Sequence, residues 1–117
     1  MIICSHGAGL VVLNPSWIRF AAKARTDKFV QFAKRIFHVK AEDSTDLDCA
    51  LEGINRFEDF LRFIGCPTHL SEVGIGDELF SQYAEDAVLV VKDENGDLPG
   101  RPPMSKADIV EVLRSAL

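Results

Sequence analysis

The sequence has no long apolar run: its longest nearly unbroken stretch, Gly7 to Leu13, is far short of the roughly 20 residues that cross a bilayer. Nor does its N-terminus carry the basic flank and small-residue cleavage site of a secretory leader. Cysteine is sparse. Cys4, Cys49 and Cys66 are odd in number and share no metal-type spacing, which points to reduced thiols in a cytoplasmic protein rather than a disulfide framework. Basic residues are too few and too dispersed for a nucleic-acid stripe: 13 Lys and Arg stand against 18 Asp and Glu, for a net charge of −5. No glycine-rich phosphate loop follows a strand-like segment, so the chain brings no dinucleotide site of its own. Serine-nucleophile motifs are also missing. No stretch alternates apolar and polar residues long enough to call for a sheet.

What remains is a chain of ordinary globular composition, 47% hydrophobic and 26% charged over 117 residues. That length fits one domain but not a nucleotide-binding domain plus a substrate domain. Four stretches carry a helical period, so the fold class is all-α, a single helical domain over residues 1–117. Thr26 and Asp27 can cap a helix whose Phe29, Phe32, Ala33, Ile36 and Phe37 share one face. After Asp43, Ser44 and Thr45, the positions Leu47, Ala50, Leu51, Ile54, Phe57, Leu61 and Ile64 repeat with helical period until Gly65, a left-handed stop, and Pro67. A third helix is expected to bury Leu79, Tyr83, Ala84, Ala87, Val88 and Val91, with Asp77 and Glu78 at its positive end. A turn-rich loop from Asp93 to Pro103 then precedes a last helix, where Ser105 and Asp108 form a capping box ahead of Val110, Leu113 and Leu117.

The first segment, residues 6 to 25, is the odd one. It is apolar enough for a buried helix, but Gly7, Gly9, Asn14 and Pro15 interrupt it, and Pro15 should kink or restart it. His6 stands at its head. A neutral imidazole is a good ligand for iron or zinc, and the small residues Gly7, Ala8 and Gly9 let a cofactor or another backbone approach. One histidine cannot make a site, because such metals need three or four protein donors. His38 and His69 have no partner at i+3 or i+4 that suggests a cluster, and no residue stands out as a catalytic acid, base or nucleophile.

The order of segments supplies more. His6-Gly-Ala-Gly-Leu, leading through Asn14-Pro-Ser-Trp-Ile-Arg-Phe20, resembles the stretch of iron-containing alcohol dehydrogenases, in particular their butanol dehydrogenase branch, where His-Gly-x-Gly-Leu opens a Pro-x-Trp helix. Phe29 to Val39, Ile64 to Leu70 with Glu72 to Ile75, and Ser105 to Leu117 follow in the family's order, so the resemblance covers nearly the whole chain. It implies the C-terminal helical, metal-binding domain of a dehydroquinate synthase-like architecture. In that family an upstream α/β domain binds NAD(P), and an aspartate and three histidines hold Fe²⁺, which polarises the alcohol oxygen for hydride transfer. The resemblance makes His6 the last of those histidines and Gly7, Ala8 and Gly9 the pocket floor. The loop 93–103 becomes a candidate for the active-site rim.

The other three ligands and the nucleotide-binding glycines would lie upstream of this sequence. The chain alone is therefore expected to be inactive on alcohols or aldehydes, to bind neither metal nor NAD(P), and to self-associate through exposed apolar surface. A glycerol dehydrogenase or dehydroquinate synthase relative, with Zn²⁺ for iron, is a neighbouring possibility. In a different class stands a free-standing helical interaction module without catalysis, supported by the aromatic-rich helices.

Overall fold

The computed structural model describes residues 6–40, 42 and 44–117, with His6 described in its backbone alone. The described residues form five α-helices: α1 (His6–Ala22), α2 (Thr26–Phe37), α3 (Asp46–Phe63), α4 (Phe80–Val90) and α5 (Lys106–Ser115). A 3₁₀ turn, Leu70–Val73, lies between α3 and α4. The described residues form no strand, only an isolated antiparallel bridge between Leu98 and Met104. None of the helices is long and apolar enough to cross a membrane.

The tightest seam joins α2 to α3. Cys49, Ala50, Gly53, Ile54 and Leu61 are the buried positions of α3, spaced by three, four and seven residues along one helical stripe. Gly53 faces Ala33 of α2 so closely that a Cβ there would stand 2.7 Å from the Ala33 Cα. Beside that crossing, Phe32 packs edge-on against Phe37 at 5.4 Å and Phe57 at 5.9 Å between ring centroids, the arrangement that aromatic quadrupoles favour. Thr45 caps α3 by accepting the Asp48 N–H at 3.1 Å, and Gly65 follows the helix at φ 85°. Asp43 lies outside the described residues.

Several expectations about faces need correction. α1 runs through Pro15 as one helix; the proline is fully buried, and the helix does not restart. Ile36, expected in the core, is 59% exposed, because the tight approach at Ala33 turns the seam towards Phe29, Val30 and Phe37. The α2 N-cap is Arg25, without a side-chain cap; Thr26 instead donates its hydroxyl to the Ala22 carbonyl at 2.8 Å, tying α2 back to α1.

On α4 the buried positions are Phe80, Ala84 and Val88, with Ala87 half-buried, while Leu79, Tyr83 and Val91 are exposed. A rotation of one residue, about 100°, separates the two faces. In α5 the buried residues are Ile109 and Val112, followed by Ala116; Val110 and Leu113 pack at the edge and Leu117 is exposed. The capping box is present: Ser105 Oγ accepts the Asp108 N–H at 3.1 Å and the Asp108 carboxylate accepts the Ser105 N–H at 3.0 Å.

Two cores result. Ile18 and Ala22 of α1 meet Ile54 of α3, with Trp17, Phe29, Leu51 and Phe57 around them. Ala84 and Val88 of α4 meet Met104, Ile109 and Val112, again with Trp17 at the edge. Trp17 therefore sits where the two halves join. Ser16, buried beside it, donates its Oγ–H to the Val112 carbonyl at 2.6 Å and ties α1 to α5.

Candidate functional site

The outer face of α1 carries the candidate site. At 3.6 residues per turn, positions 6, 10, 13, 14 and 17 fall along one stripe, so the His6 backbone heads a line of Leu10, Leu13, Asn14 and Trp17. Those four residues line a hollow of about 360 Å³. Leu10 is 57% exposed, a large fraction for a leucine in a helix whose opposite face, Val12, Pro15 and Ser16, is buried. The stripe runs about 16 Å from His6 to Trp17. At its far end Arg19 is fixed by Glu58 Oε2 at 2.6 Å and Asn55 Oδ1 at 3.0 Å.

The His6 side chain is outside the described residues, and so is Cys4. Gly7 is exposed, and Ala8 and Gly9 are half-buried. Among the described residues, a Cβ added at Gly7 or Gly9 would meet nothing within 4 Å, so these residues leave room there for another backbone or ligand to come close.

The other two histidines do not converge on this head. His38 takes the left-handed position that ends α2 and is exposed. His69 does have a carboxylate partner that the sequence reading passed over: its Nδ1 lies 3.3 Å from Glu72 Oε1 and 3.0 Å from Thr68 Oγ1. The signal was present as an i, i+3 spacing in front of a short turn. Glu72 also accepts the Thr68 N–H at 3.2 Å, and that backbone bond, aided by His69, holds its carboxyl below the usual value of 4.5. This trio lies at the start of the 3₁₀ turn, whose N-cap residue, His69, makes no side-chain cap. Among the described residues no three His, Cys, Asp or Glu side chains gather closely enough to hold a metal ion, so these residues alone do not make a metal centre.

The 93–103 loop is fastened at both ends. Asp93 Oδ1 accepts the N–H groups of Asn95 and Asp97 at 2.8 and 3.0 Å, and Leu98 and Met104 exchange backbone bonds at 2.8 and 3.0 Å. Between its first half and α4 lies a hollow of about 460 Å³ lined by Glu85, Asp86, Leu89, Lys92 and Lys106, among others. Its mixed charge commits it to no ligand.

Comparison with known proteins gives this arrangement its context. The family model for the C-terminal part of Fe-containing alcohol dehydrogenases matches residues 3–117. The chain belongs to that family. It is 30% identical over 112 residues to the probable NADH-dependent butanol dehydrogenase 2 of Bacillus subtilis, a match covering 96% of this chain and 28% of the relative. With NADH-dependent butanol dehydrogenase A of Clostridium acetobutylicum the identity is 26% over 113 residues, again 96% of this chain and 28% of the other.

Among solved structures, NADH-dependent butanol dehydrogenase A of Thermotoga maritima superposes with a TM-score of 0.82 at 28% identity, over 97% of this chain and 29% of that one. A 1,3-propanediol oxidoreductase gives 0.77 at 25% identity over 100% and 29%. The chain thus spans somewhat more than a quarter of the iron-containing alcohol dehydrogenases it matches, and its all-helical fold is that of their C-terminal part.

Proposed function

We propose that this chain supplies the C-terminal helical wall of an iron-dependent alcohol dehydrogenase that oxidises primary alcohols or reduces aldehydes with NAD(P), and that by itself it does not turn over. The match over residues 3–117 carries the proposal. In this reading His6 is one metal ligand, the remaining donors and the nucleotide-binding glycines come from upstream polypeptide, and Gly7, Ala8 and Gly9 form the floor of the pocket. The bound metal, Fe²⁺ or Zn²⁺, would polarise the alcohol oxygen. The chain's own part is to fix the helix that presents His6, which it does through the buried Ser16–Val112 bond and the Arg19–Glu58 pair. The loop 93–103 forms the rim. A cytoplasmic setting suits the free thiols of Cys49 and Cys66.

The test is a graft. Alone, with Fe²⁺ or Zn²⁺ and either nicotinamide, the chain is expected to give no butanol-dependent reduction. Grafted in place of the matching 28% of the Bacillus subtilis relative, it is expected to restore turnover. His6→Ala in the graft then lowers activity and metal content by more than the 10–100-fold typical of losing a supporting partner of a ligand. A His6→Ala graft that keeps both metal and activity would overturn the assignment.

A second reading, a self-associating helical module without catalysis, is favoured by Leu89 and Val90 on α4, each 81% exposed. A monomer by light scattering with little apolar dye binding counts against it.

A further inference from the structure

Nearly two turns of α1 separate His6 from the cores that hold the helix. Among the described residues, none of positions 7–11 enters a core cluster, and Val12, 1% exposed, is the first α1 residue that does. At 1.5 Å per residue the His6 backbone stands about 9 Å ahead of Val12, so a tilt of about 10° there carries it through roughly 1.5 Å. A constellation that binds or reacts tolerates about 0.5 Å. The rear of α1 sets this angle poorly: Pro15 has no N–H to donate to the Val11 carbonyl, and the helix is least stiff in the turn between them.

Val12 is buried together with Leu70, Phe80 and Ala116. Leu70 also ties the backbone around it. Its N–H donates to the Ala116 carbonyl at 2.7 Å, and its carbonyl accepts the Ile75 N–H at 3.0 Å. Beside it, Ser71 Oγ donates to the Leu117 carbonyl at 2.8 Å. A leucine of the 3₁₀ turn thus holds the residues just past α5 against the front of α1. We infer that Leu70 is a positioning residue: it fixes Val12, and through Val12 the place where α1 presents His6. The inference rests on the functional reading above, which makes His6 a metal ligand. Because a misplacement of about 1 Å can cost roughly a hundred-fold, a side chain outside α1 controls how well the metal is held.

The experiment sets Leu70→Ala beside Ile54→Ala, which empties a site of similar size in the core between α1 and α3 and so controls for lost stability. In the isolated chain, Leu70→Ala is expected to speed amide exchange from Leu10 to Leu13 at least ten-fold more than Ile54→Ala does. In the graft onto the upstream part of the Bacillus subtilis relative, Leu70→Ala is expected to weaken Fe²⁺ or Zn²⁺ binding by the 10–100-fold typical of a lost supporting residue, and Ile54→Ala to leave it nearly unchanged. Leu70→Met, which conserves volume, restores both readouts. Should Leu70→Ala not fold, Leu70→Val gives the same order with smaller shifts.

Equal exchange at the head of α1 in the two alanine variants would overturn the inference. So would metal binding that Leu70→Ala leaves intact in a graft whose His6→Ala variant loses its metal. A graft in which His6→Ala keeps its metal removes the functional reading instead, and the exchange comparison then decides by itself whether Leu70 holds the front of α1.

Discussion

The α2–α3 seam and the outer side of α4 use similar amounts of apolar sequence to opposite ends. Along the seam, small residues meet small residues: Gly53 sits against Ala33, and the phenylalanines interlock beside them. On α4, Phe80, Ala84 and Val88 are buried and Ala87 packs beside them, while Leu89 and Val90, with the flanking Leu79 and Val91, remain exposed. Apolar periodicity therefore marks a surface that some partner covers, and the partner need not lie in the same stretch of chain. On the seam it is the next helix; on α4 the described residues provide none for the outer side.

Substitutions should separate the two regions sharply. Ile54→Ala, in the fully buried heart of the seam, is expected to cost ~2–5 kcal/mol, read from urea unfolding; a loss below about 1 kcal/mol would mean that the seam is loosely packed. Gly53→Ala should cost ~1–3 kcal/mol by overpacking against Ala33, even though alanine is the better helix former. A stabilised variant would show that α2 and α3 can slide apart freely.

On the other side, Ser105→Ala removes the box that starts α5 and should cost ~1 kcal/mol, with hydrogen-exchange protection lost first in the opening turn of α5. Leu89→Gln with Val90→Gln is expected to change stability by less than about 0.5 kcal/mol while reducing apolar dye binding. A large destabilisation there would place those side chains inside a contact after all.

The smallest effect belongs to Glu72. Its folded-state carboxyl lies below the ordinary value, chiefly through the Thr68 N–H. Its contribution is therefore complete above the unfolded carboxylate range and fades as pH falls through the folded value. Glu72→Gln should slightly flatten the Tm profile between about pH 3 and 6; an unchanged profile would show that the trio at the 3₁₀ turn is too exposed to matter.

Much of this was legible in the sequence wherever a local chemical rule decides the outcome. Thr45 at the start of α3, Gly65 beyond its end, and the Ser105–Asp108 box all act within a few residues, and all stand where their spacing placed them. The all-helical class and the family followed from the order of such segments. Rotation of a helix is not local. Whether α4 turns Tyr83 or Phe80 inward depends on where Val12 and Leu70 wait for it, and no window of α4 contains that information. Ile36 was misplaced for the same reason, and Pro15 because its burial against the rest of the fold offsets the lost backbone donor. The candidate site was the least legible part, since one histidine followed by Gly7, Ala8 and Gly9 carries no ligand spacing of its own, and no three-donor group occurs among the described residues.

The Ser16–Val112 bond joins residues 96 positions apart, whereas the partners of the α2–α3 seam are separated by one short connection. Loop-closure entropy rises with the length enclosed, and distant pairings slow the search for the native state. The middle of the chain should therefore fold first as a local hairpin, with α1 and α5 meeting last. Hydrogen exchange during refolding would then protect α3 ahead of α5, and the helix that presents His6 would reach its final position only in the closing step.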